Sequence, residues 1–301
     1  MGFEHVVCNF CKSNDQWVLF NIHESPDERQ PPAWRGSASI PVVRCKQCGL
    51  VFLNPRYDDA RLTALYQDPQ MFIGTIDPEG RSRSIAAERP QRVARFKGDV
   101  DSLRRMRSSG RLLDIGCGLG FFLQALGNDY DAIGLEWSHP VVEMMRDLPL
   151  RVVEERFPHH PFKAGEFDIV TMHNILDHLP NPLSALHAAC DLLKPGGLLM
   201  LSLVNFDSIA AKVYGAGFRL LGPNHLYYFT PTTLRRYFDR TGFRLIKIEY
   251  PYFGTEFAKP IEHTQKILND WWAMRVMGKN ETRLSPPFYG NMMRVYASRK
   301  Q

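Results

Sequence analysis

Four of the six cysteines in this 301-residue chain form two Cys-x-x-Cys pairs. The first pair is Cys8 and Cys11, and the second is Cys45 and Cys48. A pair at this spacing turns tightly enough to present two thiolates to one tetrahedral ion, and two such pairs fill the coordination of zinc. A closed site leaves no position for water or substrate. The sequence therefore predicts one structural zinc ion per chain.

Two other interpretations of the cysteines stay open. The pairs could be unrelated buried cysteines, or one could be a redox Cys-x-x-Cys. In a reducing compartment, pairs at this spacing indicate metal binding before disulfides. The gap between the pairs is longer than in compact zinc ribbons. The remaining two cysteines, Cys117 and Cys190, are expected to pack as small apolar residues.

A glycine-rich turn follows a short apolar run, and it reads Leu-Leu-Asp-Ile-Gly-Cys-Gly-Leu-Gly over residues 112–120. Such a turn alone is weak evidence for one nucleotide, because a dinucleotide site has a similar turn. Asp114 at the strand end changes this, since a carboxylate repels a pyrophosphate but attracts the ammonium and sulfonium of S-adenosylmethionine (SAM). Glycines let the backbone approach such a ligand closely. The predicted SAM contacts are Asp114, Gly116, Cys117, Gly118 and Gly120.

A second acidic residue, Glu136, follows Gly116 by twenty residues and ends the apolar run 132–135. A carboxylate there can accept hydrogen bonds from both ribose hydroxyls of a nucleoside. The alternative is a solvent-facing Glu at the start of a helix capped by Ser138. The adjacent Trp137 is predicted to pack on the adenine ring, with a core aromatic as its alternative.

The elements that must position these residues alternate in type from residue 111 onward. Short apolar runs at 112–115, 132–135, 167–172 and 198–204 are separated by helical stretches, which indicates βαβ units and a parallel sheet in an α/β fold. A later helix is expected to begin at Pro231 after an N-cap at Thr230 and to end before Gly242. Two further candidate strands, 244–249 and 292–298, flank an aromatic-rich insertion.

Composition and charge favour a soluble globular enzyme, with 44% hydrophobic and 23% charged residues. The formal net charge is only +5. The densest basic group, Arg104, Arg105 and Arg107, is interpreted as a solvated helix face and not as a nucleic-acid patch. The longest apolar run, 198–204, is too short to span a bilayer, and no signal-peptide pattern opens the chain, so a cytoplasmic location is expected.

Residues from about 105 to 250 resemble the class I SAM-dependent methyltransferase superfamily. Besides the glycine-rich turn, the resemblance includes Phe-Asp-Ile-Val-Thr-Met-His-Asn-Ile-Leu-Asp-His-Leu at 167–179 and Leu-Lys-Pro-Gly-Gly-Leu-Leu at 193–199. It implies a Rossmann-like, doubly wound, seven-stranded sheet and a SAM-dependent methyltransferase activity. Members of the superfamily usually carry Glu where Asp177 stands, which preserves the charge.

The order of the whole chain, with the cysteine module first and His-Leu-Tyr-Tyr-Phe-Thr-Pro at 225–231, resembles a bacterial group of zinc-containing methyltransferases among sugar and secondary-metabolite enzymes. This resemblance implies a small-molecule acceptor, either a sugar nucleotide or a secondary metabolite, methylated on oxygen, carbon or nitrogen. The cysteine pairs, the helical spacing that follows them and the change of pattern near residue 111 divide the chain into three parts. These are a zinc-binding module at 1–57, a helical connector at 58–108, and a methyltransferase domain at 109–301 with an insertion at about 251–290.

The acidic residue expected to contact adenine is harder to place. Glu154 and Glu155 both stand after the third strand, and Glu155 is the one predicted, together with His173 as a further cofactor contact. No membrane or nucleic-acid partner is predicted.

The acceptor side is predicted from the segment that returns to the Thr230-capped helix. Ligands of open α/β sheets bind beyond the carboxyl ends of the strands, so His225 is expected to face the acceptor as general base or orienting donor, with Tyr228 nearby. The alternative is that His225 only anchors its segment by a hydrogen bond. Asn174 is predicted to touch SAM or the acceptor, and His178 is expected to pack within a helix.

Two other functions remain as alternatives at this point. Some rRNA-modifying enzymes also place a zinc module before this fold, so an RNA methyltransferase is one alternative. It would require a basic, aromatic-lined groove that binds RNA with steep salt dependence. A catalytically silent SAM-binding or scaffolding subunit would bind SAM without turnover and hold a protein partner tightly.

Overall fold

A computed structural model of the chain describes residues 2–24, 36–73, 85–278 and 283–300. Its largest element is a seven-stranded sheet. The strands of this sheet are β6 (Gly110–Ile115), β7 (Tyr130–Glu136), β8 (Val152–Glu154), β9 (Phe167–His173), β10 (Leu193–Val204), β12 (Phe243–Glu249) and β13 (Met292–Arg299). Their order across the sheet is β12-β13-β10-β9-β6-β7-β8. Strand β13 pairs antiparallel with both neighbours, and the other pairs are parallel. The predicted Rossmann-like sheet is confirmed.

Both faces of this sheet are buried along its central strands, which explains why strands such as β9 and β10 contain continuous apolar runs. Successive side chains of a strand point to opposite faces. Accordingly, Leu113 and Val170 belong to one buried cluster, whereas their neighbours Leu112 and Ile169 belong to another. The helices of the chain are α1 (Asp59–Tyr66), α2 (Gln70–Ile73), α3 (Ile85–Arg95), α4 (Lys97–Met106), α5 (Phe121–Leu126), α6 (His139–Met145), α7 (Pro182–Leu192), α8 (Ile209–Tyr214), α9 (Pro231–Arg240) and α10 (Pro260–Arg275).

Helix α9 has the ends that its sequence predicts. The Thr230 hydroxyl accepts a hydrogen bond from the Thr233 amide and completes a capping box, and Pro231 occupies the first turn. Gly242 follows the helix at a φ of +79°, a left-handed conformation that glycine adopts without strain. These caps fix where the preceding segment, which carries His225, enters the helix.

The N-terminal segment forms two small sheets. Strands β1 (Phe3–Glu4) and β5 (Arg56–Tyr57) pair with each other. The second sheet consists of β2 (Gln16–His23), β3 (Ser39–Cys45), β4 (Val51–Leu53) and β11 (Tyr227–Tyr228). Their order across this sheet is β11-β4-β3-β2. Strand β11 comes from the second half of the chain and pairs antiparallel with β4. The cysteine segment is therefore joined by main-chain hydrogen bonds to the segment after His225.

The region at about 251–290 contains α10, and residues 279–282 within it lie outside the described part of the chain. Trp271 and Trp272 are partly exposed on this helix. Residues 25–35 and 74–84, inside the predicted zinc module and connector, also lie outside the described residues. Among the helices that the structure describes, none has the length and apolar character to cross a bilayer.

Candidate active site

Two carboxylates lie at the carboxyl ends of neighbouring parallel strands. Asp114 near the end of β6 pairs in register with Gly134 of β7, two residues before Glu136. Asp114 is 2% exposed, and its Oδ1 accepts a hydrogen bond of 2.7 Å from the Thr171 hydroxyl. Burial, with the nearby charge of Glu136 as a smaller contribution, raises the pKa of Asp114 to about 7. A cationic ligand would relieve this unfavourable burial of negative charge.

Glu136 is held by the backbone of its own turn and of the glycine loop. One carboxylate oxygen accepts from the Gly118 amide at 2.9 Å, and the other accepts from the Trp137 and Ser138 amides at 2.9 Å each. The alternative of a solvent-facing Glu136 is wrong, because the residue is 4% exposed. Ser138 stands at the N-cap of α6. Its hydroxyl donates to Tyr66 O at 2.6 Å and accepts no hydrogen bond from the amides of the helix.

Backbone geometry requires glycine in the loop. Gly116 has a φ of +69°, and a Cβ there would lie 2.2 Å from Ile175 Cδ1. Gly118 has a φ of +52°, and no described atom lies within 4 Å of the position its Cβ would take. Gly120 has a φ of +72° and is the N-cap of α5. The loop thus leaves open space at Gly118, where a ligand can approach the backbone.

A cavity of about 410 Å³ opens above these residues, a size typical of sites for small ligands. Nine residues predicted from the sequence line it: Asp114, Gly116, Cys117, Gly118, Glu136, Trp137, Glu155, His173 and Asn174. Gly120, His225 and Tyr228 are not in its walls. The wall chemistry, with two buried carboxylates, an open glycine backbone and aromatic rings, fits a cationic nucleoside such as SAM.

The structure separates the two acidic candidates, of which Glu154 is the last residue of β8 and Glu155 follows the strand. Glu155 lines the cavity. The Glu154 carboxylate is instead 3.1 Å from His139 Nδ1 on the exposed face of α6. The position of Glu155 is compatible with the predicted adenine contact, and its role stays a prediction.

His173 and Asn174 mark the end of β9. The His173 ring lies 4.2 Å from Phe122 and 5.4 Å from Phe96, centroid to centroid, and burial lowers its pKa to about 4. His173 is therefore neutral near pH 7 and places no positive charge beside a sulfonium. Asn174 has a φ of +54°, a left-handed conformation that asparagine adopts more readily than most non-glycine residues.

The far end of the cavity is assembled from three distant segments. Tyr66 of α1 has its hydroxyl 2.9 Å from His178 Nδ1, and the same nitrogen is 2.9 Å from Asn224 O. His178 and Tyr66 line the cavity. The expectation that His178 packs within a helix is wrong, because residues 174–180 form turns and α7 begins only at Pro182. Tyr66 gave no signal in the sequence, since its partner is 112 residues away.

His225 lies directly behind His178. The two ring centroids are 4.4 Å apart, and His225 Nδ1 is 2.8 Å from Asp177 Oδ2. Tyr228 is fully buried, and its hydroxyl accepts from Gly222 N and donates to Gly222 O. Burial raises the Tyr228 pKa above its ordinary value. These contacts give Tyr228 the geometry of an anchor for the 222–228 segment. Tyr228 does not line the cavity, so its predicted catalytic role stays a prediction.

The four paired cysteines meet at one point. Their Sγ atoms all lie within 4.8 Å of one another, and the closest approaches are Cys8 to Cys48 and Cys11 to Cys45, at 3.4 Å each. Four thiolates around zinc have sulfur–sulfur separations of roughly 3.8 Å, given Zn–S bonds of about 2.3 Å in a tetrahedron. The donor set therefore fits zinc, and separations of 3.4 Å are far too long for disulfides.

The cysteine module contacts the far end of the cavity directly. Leu53 N donates to Leu226 O, and Arg56 donates to both Pro180 O and the Tyr227 hydroxyl. Arg236 of α9 donates to Cys48 O at 2.6 Å. The segments before and after His225 and the loop carrying Asp177 are thus held by the same module.

Comparison with known proteins gives a consistent result. Residues 85–248 match a family model described as a methyltransferase domain. A ubiquinone biosynthesis O-methyltransferase of Xanthomonas campestris is 33% identical over 168 residues, which are 50% of this chain and 66% of that protein. The corresponding enzyme of Photorhabdus laumondii is 30% identical over 166 residues, or 49% of this chain and 69% of that protein.

Solved structures resemble the chain at the level of the fold. A methyltransferase of Haloferax volcanii in complex with the activator Trm112 superposes with a TM-score of 0.54 and 14% identity, covering 72% of this chain and 95% of that one. A SAM-dependent methyltransferase of Thermotoga maritima has a TM-score of 0.50 and 18% identity, covering 72% and 97%.

Proposed function

Because the chain belongs to the family of methyltransferase domains and is a SAM-dependent methyltransferase, we propose that it methylates an oxygen atom of a small-molecule acceptor. The observation that carries this proposal is the hydrogen-bonded pair of His225 and Asp177 beside the cavity. A hydroxyl acceptor must lose a proton during transfer, so it needs a base, whereas an amine that is already neutral does not. The two curated relatives described above are both named ubiquinone biosynthesis O-methyltransferases, and this supports the same acceptor atom.

The chain's own residues divide the work at the cofactor end. SAM, when bound, supplies a methyl carbon already activated by its sulfonium, so alignment in a dry pocket is the main requirement. Asp114 attracts the cationic part of the cofactor. Glu136 accepts a ribose hydroxyl on the one lone-pair site of Oε2 that its three amide partners leave free. Glu155 and Trp137 hold the adenine. His173 stays neutral and excludes water together with Phe122.

At the acceptor end, His225 takes the proton from the acceptor hydroxyl and Asn174 orients the acceptor. His225 is not in the cavity wall as described, and its side chain is 19% exposed behind His178. A bound acceptor would therefore extend the cavity past the edge of the His178 ring. Hydrogen bonds in active sites commonly tighten only when substrate is present, which supports this assignment despite the gap.

The acceptor class that we propose is a sugar nucleotide or a secondary metabolite. The cavity volume suits SAM with a modest acceptor and no extended polymer. Charge also argues against RNA, because two of the three arginines in the densest basic group form ion pairs within the fold. Arg104 pairs with Asp101 and Asp129, and Arg107 pairs with Asp168. An RNA-binding groove would leave such cations available to phosphates.

We further propose one structural zinc ion bound by Cys8, Cys11, Cys45 and Cys48, within a module that comprises residues 1–57. The connector 58–108 and the methyltransferase domain 109–301 with its insertion at about 251–290 complete the partition. The sulfur–sulfur distances support the metal. The pairing of β4 with β11 supports a module that buttresses the acceptor end.

The test is incubation with methyl-labelled SAM and an extract of the source organism, separated into small-molecule, RNA and protein fractions. The proposal expects label in one small molecule, attached to oxygen by mass and NMR analysis of the product. An Asp114→Ala variant, assayed at a SAM concentration well below its weakened affinity, serves as the control. Label in the RNA fraction, or on carbon or nitrogen, contradicts the proposal. SAM binding without any labelled product favours the silent subunit.

A further inference from the structure

We propose that Asp177 is a positioning residue for catalysis, which fixes the tautomer and orientation of the His225 ring and stabilises the ring when it becomes protonated. The inference rests on the proposed role of His225 as general base. It assigns a function to a buried carboxylate that neither the glycine loop nor the cysteine module explains.

The hydrogen bond between the two residues determines which ring nitrogen carries the proton. A carboxylate only accepts hydrogen bonds, so the 2.8 Å contact of His225 Nδ1 with Asp177 Oδ2 makes Nδ1 the protonated nitrogen. In a neutral ring, Nε2 then holds the free lone pair. Among the described residues, the His225 ring makes its hydrogen bond through Nδ1. Its Nε2 is therefore available to an acceptor hydroxyl.

Burial of the ionised Asp177 carboxylate is unfavourable in free energy. The residue is 1% exposed, and its Oδ1 has no hydrogen-bond partner among the described residues. Burial alone would raise its pKa, but the adjacent His178 and His225 keep the pKa of Asp177 below its ordinary value. The carboxylate is therefore ionised near pH 7. Leaving one of its oxygens without a partner is unfavourable, and a role in stabilising an imidazolium gives a reason for it.

The neighbouring histidine does not compete for this role. His178 Nδ1 lies 2.9 Å from both Asn224 O and the Tyr66 hydroxyl, so this nitrogen bonds to those groups and not to Asp177. Burial lowers the pKa of His178 to about 4. His178 Nε2 is 4.0 Å from Asp177 Oδ2, which is beyond hydrogen-bonding distance. His178 is thus a poor proton acceptor near neutral pH, and its ring packs against His225 as a wall.

The groups that face His225 come from three elements. Asp177 and His178 belong to the loop after β9, Tyr66 lies at the end of α1 beyond His178, and Tyr228 of β11 stacks 6.3 Å away. Of these, Asp177 is the anionic one that contacts the ring. The Tyr227 amide also donates to Asp177 O at 3.2 Å. This main-chain hydrogen bond joins the segment that carries His225 to the loop that carries Asp177.

The main test is Asp177→Asn, which keeps size and hydrogen bonding but removes the charge. We expect kcat to fall by roughly 10²- to 10⁴-fold with SAM affinity changed less than about threefold. The acidic limb of the kcat/KM profile should move to lower pH, because an imidazolium without its carboxylate loses its proton more easily. Asp177→Glu should restore part of kcat and return the limb toward the parental pH.

The matched control is Asp191→Asn, an exposed aspartate on α7, which should leave kcat and the pH profile unchanged. A parental kcat or an unmoved acidic limb in Asp177→Asn overturns the inference. Restoration of that variant by added Mg²⁺ or Mn²⁺ also overturns it, since the carboxylate would then serve a cation and not the ring.

A measurement on the parent protein covers the case in which the variant does not fold. Nitrogen NMR of ¹⁵N-histidine-labelled protein, assigned by loss of the signals in His225→Gln, should show Nδ1 protonated and Nε2 bare. A proton on Nε2 overturns the inference. If His225→Ala retains turnover, the proposed base role of His225 is contradicted. If His225→Ala is inactive and Asp177→Asn is active, only the positioning role of Asp177 is contradicted.

Discussion

The two ends of the cavity, which we propose hold the cofactor and the acceptor, are built in different ways. At the cofactor end, Asp114, the glycine loop and Glu136 come from one strand-turn-helix-strand unit of the chain. At the acceptor end, Tyr66, Asp177 with His178, and Asn224 with His225 come from three segments, joined by hydrogen bonds that span 46 to 112 residues of sequence.

The difference shows what each end needs for its stability. The cofactor end is fixed by the main sheet and by turns whose glycines adopt left-handed conformations without strain. The acceptor end depends on the cysteine module, because β4 pairs with β11 and Arg56 binds both the loop after Leu179 and Tyr227. A disturbance of the module should therefore affect the acceptor end while the cofactor end persists.

Removal of zinc is the strongest way to test this comparison. The double variant Cys45→Ser plus Cys48→Ser should lose its zinc and drop at least ~10²-fold in turnover, because metal binding contributes roughly 10 kcal/mol to the folding of small zinc modules. SAM affinity should stay within about threefold, since no cysteine ligand touches the cofactor end. Metal analysis, calorimetric titration with SAM and turnover assays measure the three quantities.

The control for the cysteine variant is Cys190→Ser, which changes a buried cysteine outside the cluster and should keep one zinc per chain. Zinc below half an equivalent in the parent protein would contradict the site. Equal loss of SAM binding and turnover in the double variant would contradict the separation of the two ends.

Replacement of His225 tests the acceptor end alone. His225→Ala should retain SAM affinity while turnover falls by about 10²- to 10⁴-fold, the usual cost of losing a general base. Circular dichroism and calorimetry establish folding and SAM binding before turnover is compared. His187→Ala, on the exposed face of α7, is the matched histidine control. More than about a tenth of parental turnover would remove the base role, and an unfolded variant would favour an anchoring role.

The same contrast explains what could be predicted from the sequence. The cofactor end was accessible because its geometry is local. Asp114 precedes glycines that the turn requires, and Glu136 stands at the end of the next strand. The caps of α9 were accessible for the same reason, since Thr230 and Pro231 act within one turn of helix.

The acceptor end was predicted only in part because its contacts depend on tertiary packing. Nothing in the sequence around Tyr66 indicates that it meets His178, and His178 lies in a turn where the sequence predicts that it packs within a helix. The pairing of Asp177 with His225 could not be predicted from the sequence either. The two residues lie in separate loops, and only the folded chain brings these loops together. Proximity across such distances follows from the fold and not from spacing.

The cofactor carboxylates offer a smaller and more specific test. Asp114→Ala and Glu136→Ala should each weaken SAM binding by about 1 to 3 kcal/mol, or roughly 5- to 150-fold, the cost of losing a charge-assisted hydrogen bond. Turnover at saturating SAM should change less than in His225→Ala. Glu154→Ala is the control, because Glu154 faces His139 outside the cavity. Parental SAM affinity in both carboxylate variants would show that the cofactor contacts are misassigned.

The smallest expected effect is a pH dependence of SAM binding that belongs to the cofactor end. Burial raises the pKa of free Asp114 to about 7, and burial also raises that of Glu136. A cationic ligand stabilises the ionised carboxylate, so the Asp114 pKa is lower in the complex and binding releases a proton. SAM affinity should be constant above about pH 8 and fall by up to about tenfold per unit below pH 7. Calorimetry at pH 6 in two buffers of different ionisation enthalpy measures the released proton, and Asp114→Asn should abolish it. A parental affinity that is flat between pH 5.5 and 8, or an equal slope in Asp114→Asn, would rule out Asp114 as the group that meets the cofactor's positive charge.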